Sequence, residues 1–228
     1  MPTSDAYLYP IQSCIVSDVG RPRRRREATV ERLLDAALSA FAEQGFAAAS
    51  VEDICSRGGF TRGAFYSSFR TKDELFAALF DREVRRELAR LEELLTGLAD
   101  EPDPVAAAVE RCLGAFRRDR TWTLVNTEYA LHAARHPEAA ALLHRHRAGL
   151  HAQLTALIDR AAADAGVQLV LPAGQLARTV SALHDGLTLL QVSQPDDDEV
   201  AELERPALLL LLRAAVTSPA PATHLPES

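Results

Sequence analysis

Residues 50–69 read SVEDICSRGGFTRGAFYSSF, and the spacing inside this stretch decides the fold. Ser50 is a side chain that caps helix N-termini, and Asp53 three residues on favours the same terminus. Val51 and Ile54 face inward on one short helix, which Gly58-Gly59 stops. Phe60 fills the corner, and Thr61 caps a third helix expected from Arg62 to about Ser68. Phe65 and Phe69, four apart, anchor that helix to the core. Upstream, apolar residues at 30, 33, 34, 37, 38 and 41 repeat with helical period, in a helix that ends near Gly45. Downstream, Thr71 caps a fourth helix, with Glu74 completing a capping box. Phe76, Leu79, Phe80, Val84, Leu88 and Leu91 extend it as one stripe. Two short helices joined by a glycine turn, after a longer supporting helix, describe a helix-turn-helix.

Charge is distributed to match. The chain carries a formal charge of -7, yet between Asp53 and Asp73 its only charged side chains are Arg57, Arg62, Arg70 and Lys72. A basic module on an acidic body points to a polyanion partner at one end. A third helix that approaches phosphates is helped by the absence of carboxylates, and its free N–H groups can bind a phosphate oxygen. Thr61, Arg62, Gly63, Ala64, Tyr66, Ser67 and Ser68 fall on its exposed side, and Gly63 removes bulk at the closest approach. Arg62 and Lys72 supply charge, and the Thr61 and Tyr66 hydroxyls suit phosphate. Arg62, Ser67 and Ser68 alternatively reach base edges, while Ala64 can touch a thymine methyl. Arg23, Arg24, Arg25 and Arg26 read as a flexible arm along the DNA backbone or into the minor groove. Taken alone, such a run is equally a solvated charge cluster, and Tyr66 alone a half-buried aromatic.

The run from Arg24 to Leu79 resembles the DNA-binding region of the TetR family of one-component regulators, in LLDAALSAFAEQGF, then SVEDI, then GFTRGAFYSSFRTKDELF. Two features depart from the family's commonest wording. Cys55 stands where a small residue such as alanine is usual, and Ser67-Ser68 replaces a bulkier polar pair. The resemblance implies a homodimer whose recognition helices enter adjacent major grooves of double-stranded DNA. It places Thr61, Arg62, Gly63, Tyr66, Ser67 and Lys72 near that DNA. It also implies an all-α fold: a three-helix DNA-binding domain at 23–72, then a larger helical domain at 73–217 for effector binding and dimerisation. Residues 1–22 and 218–228 are expected to be a flexible extension and tail.

The larger part is acidic and reads as helices. Glu101-Pro-Asp-Pro104 interrupts the fourth helix, and further helices are expected near 105–118, around Trp122 to Ala134, and from Pro137 to about Ala165. The next begins near Pro172 and ends at Gln194-Pro195, and Pro206 opens the last. Trp122, Asn126 and Tyr129 share one helix face, with His132 and Glu128 four apart beside them. Aromatic walls with a few fixed polar groups suit a small-molecule pocket. The plainer reading makes Trp122 and Tyr129 core, with Glu128 and His132 an ordinary helix pair. Leu183, Gly186, Leu187, Leu190, Leu209 and Leu212, on the last two helices, are the expected dimer seam.

Several classes are set aside. Cys14, Cys55 and Cys112 form no CxxC pair, and arginines interleave the histidines at 132, 136, 144, 146 and 151, so no metal site is expected. No nucleotide-binding or hydrolase motif appears, and no catalytic residue or cofactor is expected. No apolar run is long enough for a membrane span and no secretory signal is evident, which fits a bacterial cytoplasm. The reading is a ligand-responsive transcriptional regulator, released from a palindromic operator by a small molecule if it is a repressor. An activator with the same architecture, or a helical small-molecule-binding protein or enzyme without DNA function, is the alternative.

Overall fold

The helix-turn-helix forms as its caps dictate. In the computed structural model, which describes residues 21–115 and 119–217, α1 spans Arg21–Gln44, α2 Val51–Gly58, α3 Arg62–Tyr66 and α4 Lys72–Leu94. The Ser50 hydroxyl oxygen accepts the Asp53 N–H, and the Asp53 carboxylate accepts the Ser50 N–H, so both halves of a capping box are made. Gly59 closes α2 at φ 69°, in the left-handed region where a β-carbon costs about 1–2 kcal/mol. Arg32 of α1 donates to the Gly58 carbonyl at 2.9 Å and lies 4.8 Å over the Phe60 ring, tying the turn to the supporting helix. Cys55 is buried as simple packing.

Four expectations need correction. First, α1 begins at Arg21, so Arg23 to Arg26 are helical backbone and not an extended arm. Arginine is a good helix former, Pro22 is tolerated in a first turn, and nothing between them and Val30 breaks the helix. Second, Thr71 caps α4, but the Glu74 carboxylate accepts the Arg70 N–H, one residue before the position a capping box requires. Third, the last helix starts at Asp198, not at Pro206. The Asp197 carboxylate accepts the Glu199 and Val200 N–H groups, a stronger start signal than a proline, and Pro206 sits inside the helix. Fourth, α4 ends at Leu94, before the proline-rich break, and a 3-10 turn at Leu98–Asp100 follows. The expectations for 1–20, 116–118 and 218–228 lie outside the described residues.

The remaining helices are α5 Pro104–Ala115, α6 Arg120–Ala133, α7 Pro137–Asp164, α8 Ala173–Ser193 and α9 Asp198–Ala215. A two-residue strand, Gln168–Leu169, pairs antiparallel with Val216–Thr217, Gln168 opposite Thr217. That small clasp joins the end of α9 to the α7–α8 connection.

One core runs through most of this. Leu33, Ala37, Phe41, Phe46, Ile54, Phe65 and Phe76 are buried with Val125 and Tyr129 of α6 and Leu143 of α7. The expected boundary after residue 72 falls at the first residue of α4, and α4 contributes its apolar stripe to packing on both sides of it. At the far end, Leu91, Ala115 and Leu157 form a smaller cluster. Between α1 and α4, Arg82 is almost wholly buried and is held by Asp35 at 2.7 Å, Glu83 at 2.9 Å and Glu31 at 3.4 Å. Removing a partner from such a buried charge is costly.

The Ser50 cap gives a direct test. Ser50→Ala should lower stability by roughly 1 kcal/mol at pH 7. Hydrogen bonds from the Ser50 side chain and backbone hold the Asp53 carboxyl below its ordinary value. A depressed folded-state pKa stabilises at higher pH, and that contribution is lost as pH falls through it. The gap between wild type and variant in urea midpoint should therefore narrow below about pH 4.

Candidate nucleic-acid interface and effector cavity

Phe65 and Phe69 are buried under α3, as their spacing requires, and the opposite face is open. Thr61, Arg62, Gly63, Tyr66 and Ser67 are exposed, with Ala64 and Ser68 partly so. A β-carbon on Gly63 would meet only the Thr61 hydroxyl, at an ordinary 3.7 Å. The fold itself does not require glycine there; its small size matters only to something approaching from outside. The Thr61 oxygen accepts the Ala64 N–H at 3.2 Å, which leaves its proton to donate. Ser67 spends its proton on the Ala64 carbonyl at 2.7 Å and keeps an acceptor.

The four cations of the acid-free stretch all have partners within the chain, which spacing did not reveal. Arg57 pairs with Glu43 at 2.7 Å, Arg62 with Glu52 at 2.6 Å, and Arg70 with Glu74 at 2.8 Å. Such exposed pairs are worth about 0–1 kcal/mol, so a phosphate can displace them cheaply. Arg62 also lies 5.8 Å over the Tyr66 ring. Lys72 differs. Its ammonium donates to the carbonyls of Phe46, Ala47 and Ala49 at 2.6, 3.2 and 2.8 Å and sits 4.6 Å over the Phe46 ring. Burial lowers its pKa, with Asp73 opposing. Lys72 thus organises the α1–α2 connection, and a phosphate contact would cost it one of these bonds. Arg26 donates to the Ser67 carbonyl at 3.4 Å, which brings the basic start of α1 beside α3.

The residues grouped as a pocket from spacing divide between two faces of α6. Trp122 and Asn126 line a cavity of about 630 Å³. Tyr129 and His132 do not; they face the helix-turn-helix. The Tyr129 ring stacks on Phe76 at 3.6 Å, meets Phe46 edge-on at 4.8 Å, and donates its hydroxyl to Asp73 at 3.0 Å. Burial and the Asp73 charge both raise its pKa, so it stays a donor. His132 Nε2 stands 3.3 Å from the same Asp73 carboxylate, and its ring stacks with His136 at 4.1 Å. The expected Glu128–His132 pair is therefore replaced. Glu128 instead accepts the Phe46 N–H at 2.8 Å, and Gly45, at φ 84°, lets the backbone come that close. Phe46 is the residue that the sequence does not single out, and the apolar stripe that contains Phe76 does not show that Tyr129 of α6 is its partner.

The cavity is bounded by α4, α6, α7 and α8, with Cys112 of α5. Phe80, Val84, Leu88, Trp122, Leu154 and Leu157 form much of its wall. Polar groups enter from Glu87, Asn126, Arg147, Arg178, Asp185 and Thr188. Asn126 Oδ1 and Thr188 Oγ1 are buried without a hydrogen-bond partner. Desolvation pushes the Asp185 carboxyl upward, with His184 and Arg147 opposing, although part of the residue is open to solvent. His184 is bonded to Glu204 of α9 at 2.8 Å, and His146 to Asp81 at 2.6 Å, so these histidines bridge helices.

The expected seam residues also divide. Gly186 is exposed with open space around it, and Leu183, Leu187, Leu190 and Leu209 are partly buried. Leu212, likewise partly buried, also lines a second, smaller cavity. The apolar side chains most open to solvent on this side are Leu189 at 40%, Leu203 at 45% and Leu210 at 74%. Leu203, Ala207, Leu210 and Ala214 follow four-three-four spacing, one face of α9.

Comparisons with known proteins agree with this architecture. Residues 33–79 match the family model for bacterial regulatory proteins of the tetR family, and residues 103–217 match the model for the C-terminal part of BetI-type transcriptional repressors. The HTH-type transcriptional regulator UidR of Escherichia coli is 30% identical over 117 residues, 51% of this chain and 58% of UidR. The chain thus spans less than two thirds of the curated relatives it matches. A transcriptional regulator of known structure from Rhodococcus sp. is 28% identical with a TM-score of 0.60, over 82% of this chain and 95% of that one. Salmonella enterica GusR is 25% identical with a TM-score of 0.64, over 82% and 96%.

The contacts of α6 predict two mutational costs. Tyr129→Phe should lower stability by about 1 kcal/mol, and Glu128→Ala by about 1–3 kcal/mol because it strands the buried Phe46 N–H. Urea midpoints check both. Unchanged values would mean that these bonds do not hold α6 to the helix-turn-helix.

Proposed function

The chain belongs to the TetR family of bacterial regulatory proteins, and from that premise we propose that it is a homodimeric repressor that a small molecule releases from a palindromic operator. The observation that carries this reading is the double engagement of α6. One 14-residue helix presents Trp122 and Asn126 to the cavity and Glu128, Tyr129 and His132 to the helix-turn-helix. A ligand that displaces the cavity face must also disturb the contacts to Phe46 and Asp73. Those contacts position α1, α4 and, through the packed core, α3. A ligand with different affinities for the two settings of α6 shifts the population between them.

In this reading α3 enters the major groove with Thr61, Arg62, Gly63, Ala64, Tyr66, Ser67 and Ser68 outward. Arg23 to Arg26 at the start of α1 and Lys72 lie to either side, Lys72 acting mainly through the connection it holds. Two copies are needed, because one five-residue recognition helix offers little contact. The exposed α8–α9 face around Gly186, Leu189, Leu203 and Leu210 is the proposed seam. Repression is favoured by the C-terminal family match. No described helix is long and apolar enough to cross a membrane.

Selection of duplex fragments from genomic DNA by the purified chain would identify the operator, and failure to retain any duplex at low salt would refute the reading. Arg62→Ala should weaken operator and scrambled duplex alike and reduce the salt slope by roughly one phosphate. Affinity unchanged across a salt titration would remove Arg62 from the interface.

Leu210→Glu puts a charge on the most exposed apolar residue of the seam. It should shift a dimer toward monomer in sedimentation at micromolar concentration, with helicity unchanged and operator affinity lost. A wild type that is monomeric both free and on DNA would exclude the dimer.

A further inference from the structure

The second cavity, of about 120 Å³, lies against the first. The two share Leu95, Cys112, Ile158 and Val180 as walls. Three helices give their common direction. Along α4, Phe80 and Leu95 are about 22 Å apart; along α7, Arg147 and Ile158 about 16 Å; along α8, Thr188 and Val180 about 12 Å. Phe80 packs on Trp122 of α6, His146 beside Arg147 bonds Asp81 beside Phe80, and Arg147 acts on Asp185 one turn from Thr188, so the first residues share the α6 end, whereas the second ones border the small cavity. Asn126 belongs to the α6 end as well, since Trp122 one turn before it packs on Phe80 at 6.1 Å.

The ends differ chemically. The small cavity is lined by apolar side chains and the Cys112 thiol, whose pKa burial pushes up to about 12, so it is neutral. The α6 end holds the two oxygens that lack partners, Asn126 Oδ1 and Thr188 Oγ1. A buried polar atom left unbonded costs about 1–3 kcal/mol, so a ligand group that bonds it gains accordingly. A hydroxyl or amide, being donor and acceptor at once, serves a carboxamide turned either way as well as a hydroxyl. The ionised groups around the large cavity balance. Arg147 and Arg178 stand with Glu87 and Asp185, and His151 and His184 lie on the same wall, so no cluster of one sign awaits an ionic head.

We propose that the effector is an uncharged amphiphile. Its hydroxyl or amide head bonds Asn126 and Thr188, and its slim apolar chain passes Leu95, Cys112, Ile158 and Val180 into the small cavity. The proposal rests on the reading of this cavity as the effector site.

Normal alkanols from octanol to tetradecanol, below their solubility limits, probe it on the full chain through the emission of Trp122, the only tryptophan. Affinity should rise about fourfold per methylene until the small cavity is filled, then level off. The alkanol should bind at least about tenfold tighter than the carboxylate or ammonium compound of equal length. Ala108 touches only the small cavity. Ala108→Phe should bring the plateau to shorter chains while leaving octanol unaffected, and Ala108→Leu should do so less strongly if the larger ring disturbs folding. Asn126→Leu should weaken every length by the same factor. A flat length dependence, a tighter ionic homologue, no emission change with any alkanol, or a plateau indifferent to both Ala108 variants would overturn the proposal. The titration contains no DNA, so the two readings fail separately. Alkanols that bind in this pattern without releasing duplex DNA would remove the regulatory role alone. A different compound that releases DNA and is indifferent to Ala108→Phe would remove the amphiphile alone.

Discussion

The stack of Tyr129 on Phe76, with the Tyr129 hydroxyl on Asp73, is the contact that joins the two ends of the molecule. Aromatic faces at 3.6 Å exclude water and tolerate little sliding, and the hydroxyl bond fixes the ring along its long axis. Phe76 in turn packs within the core that seats α1, α2 and α3. The helix-turn-helix therefore does not end in a free linker; its fourth helix is also a wall of the cavity. A small displacement on one face of α6 has a short, stiff route to the other.

Electrostatics follow a second principle, of charges held loosely outside and tightly inside. Arg82 is buried among Asp35, Glu31 and Glu83 and fixes α1 on α4. The arginines around α3 are paired at the surface, where the solvent screens each bond and its loss costs little. A free guanidinium would be drawn to any polyanion in the cell. One already paired with a neighbouring carboxylate exchanges that partner for a phosphate at little cost.

The helix-turn-helix was legible in the sequence because each of its boundaries is set by a local signal. Ser50, Gly59, Thr61 and Thr71 act within three or four residues of where they stand, and the structure places all four at caps. Long-range signals were less accessible. Periodicity puts Trp122, Asn126 and Tyr129 on one helix, but only packing shows that the first two look into a cavity and the third into the core. Glu128 found a backbone N–H 82 residues away in preference to a histidine one turn along. At α9 two start signals compete in the sequence, and the Asp197 carboxylate prevails over Pro206. The strand pair at Gln168 and Thr217 is too short to carry an alternating pattern.

Lysine occurs once in the sequence, at Lys72, and its ammonium is folded against three carbonyls with its proton affinity lowered by burial. Every other basic charge near α3 is a guanidinium, which stays protonated at any physiological pH and resists acylation. Acetyl donors, which neutralise lysine-rich surfaces, find one poorly presented lysine amine here. The positive potential of the recognition end is thus set at translation, by arginine codons, and is insulated from both the acidity and the acetylation state of its surroundings.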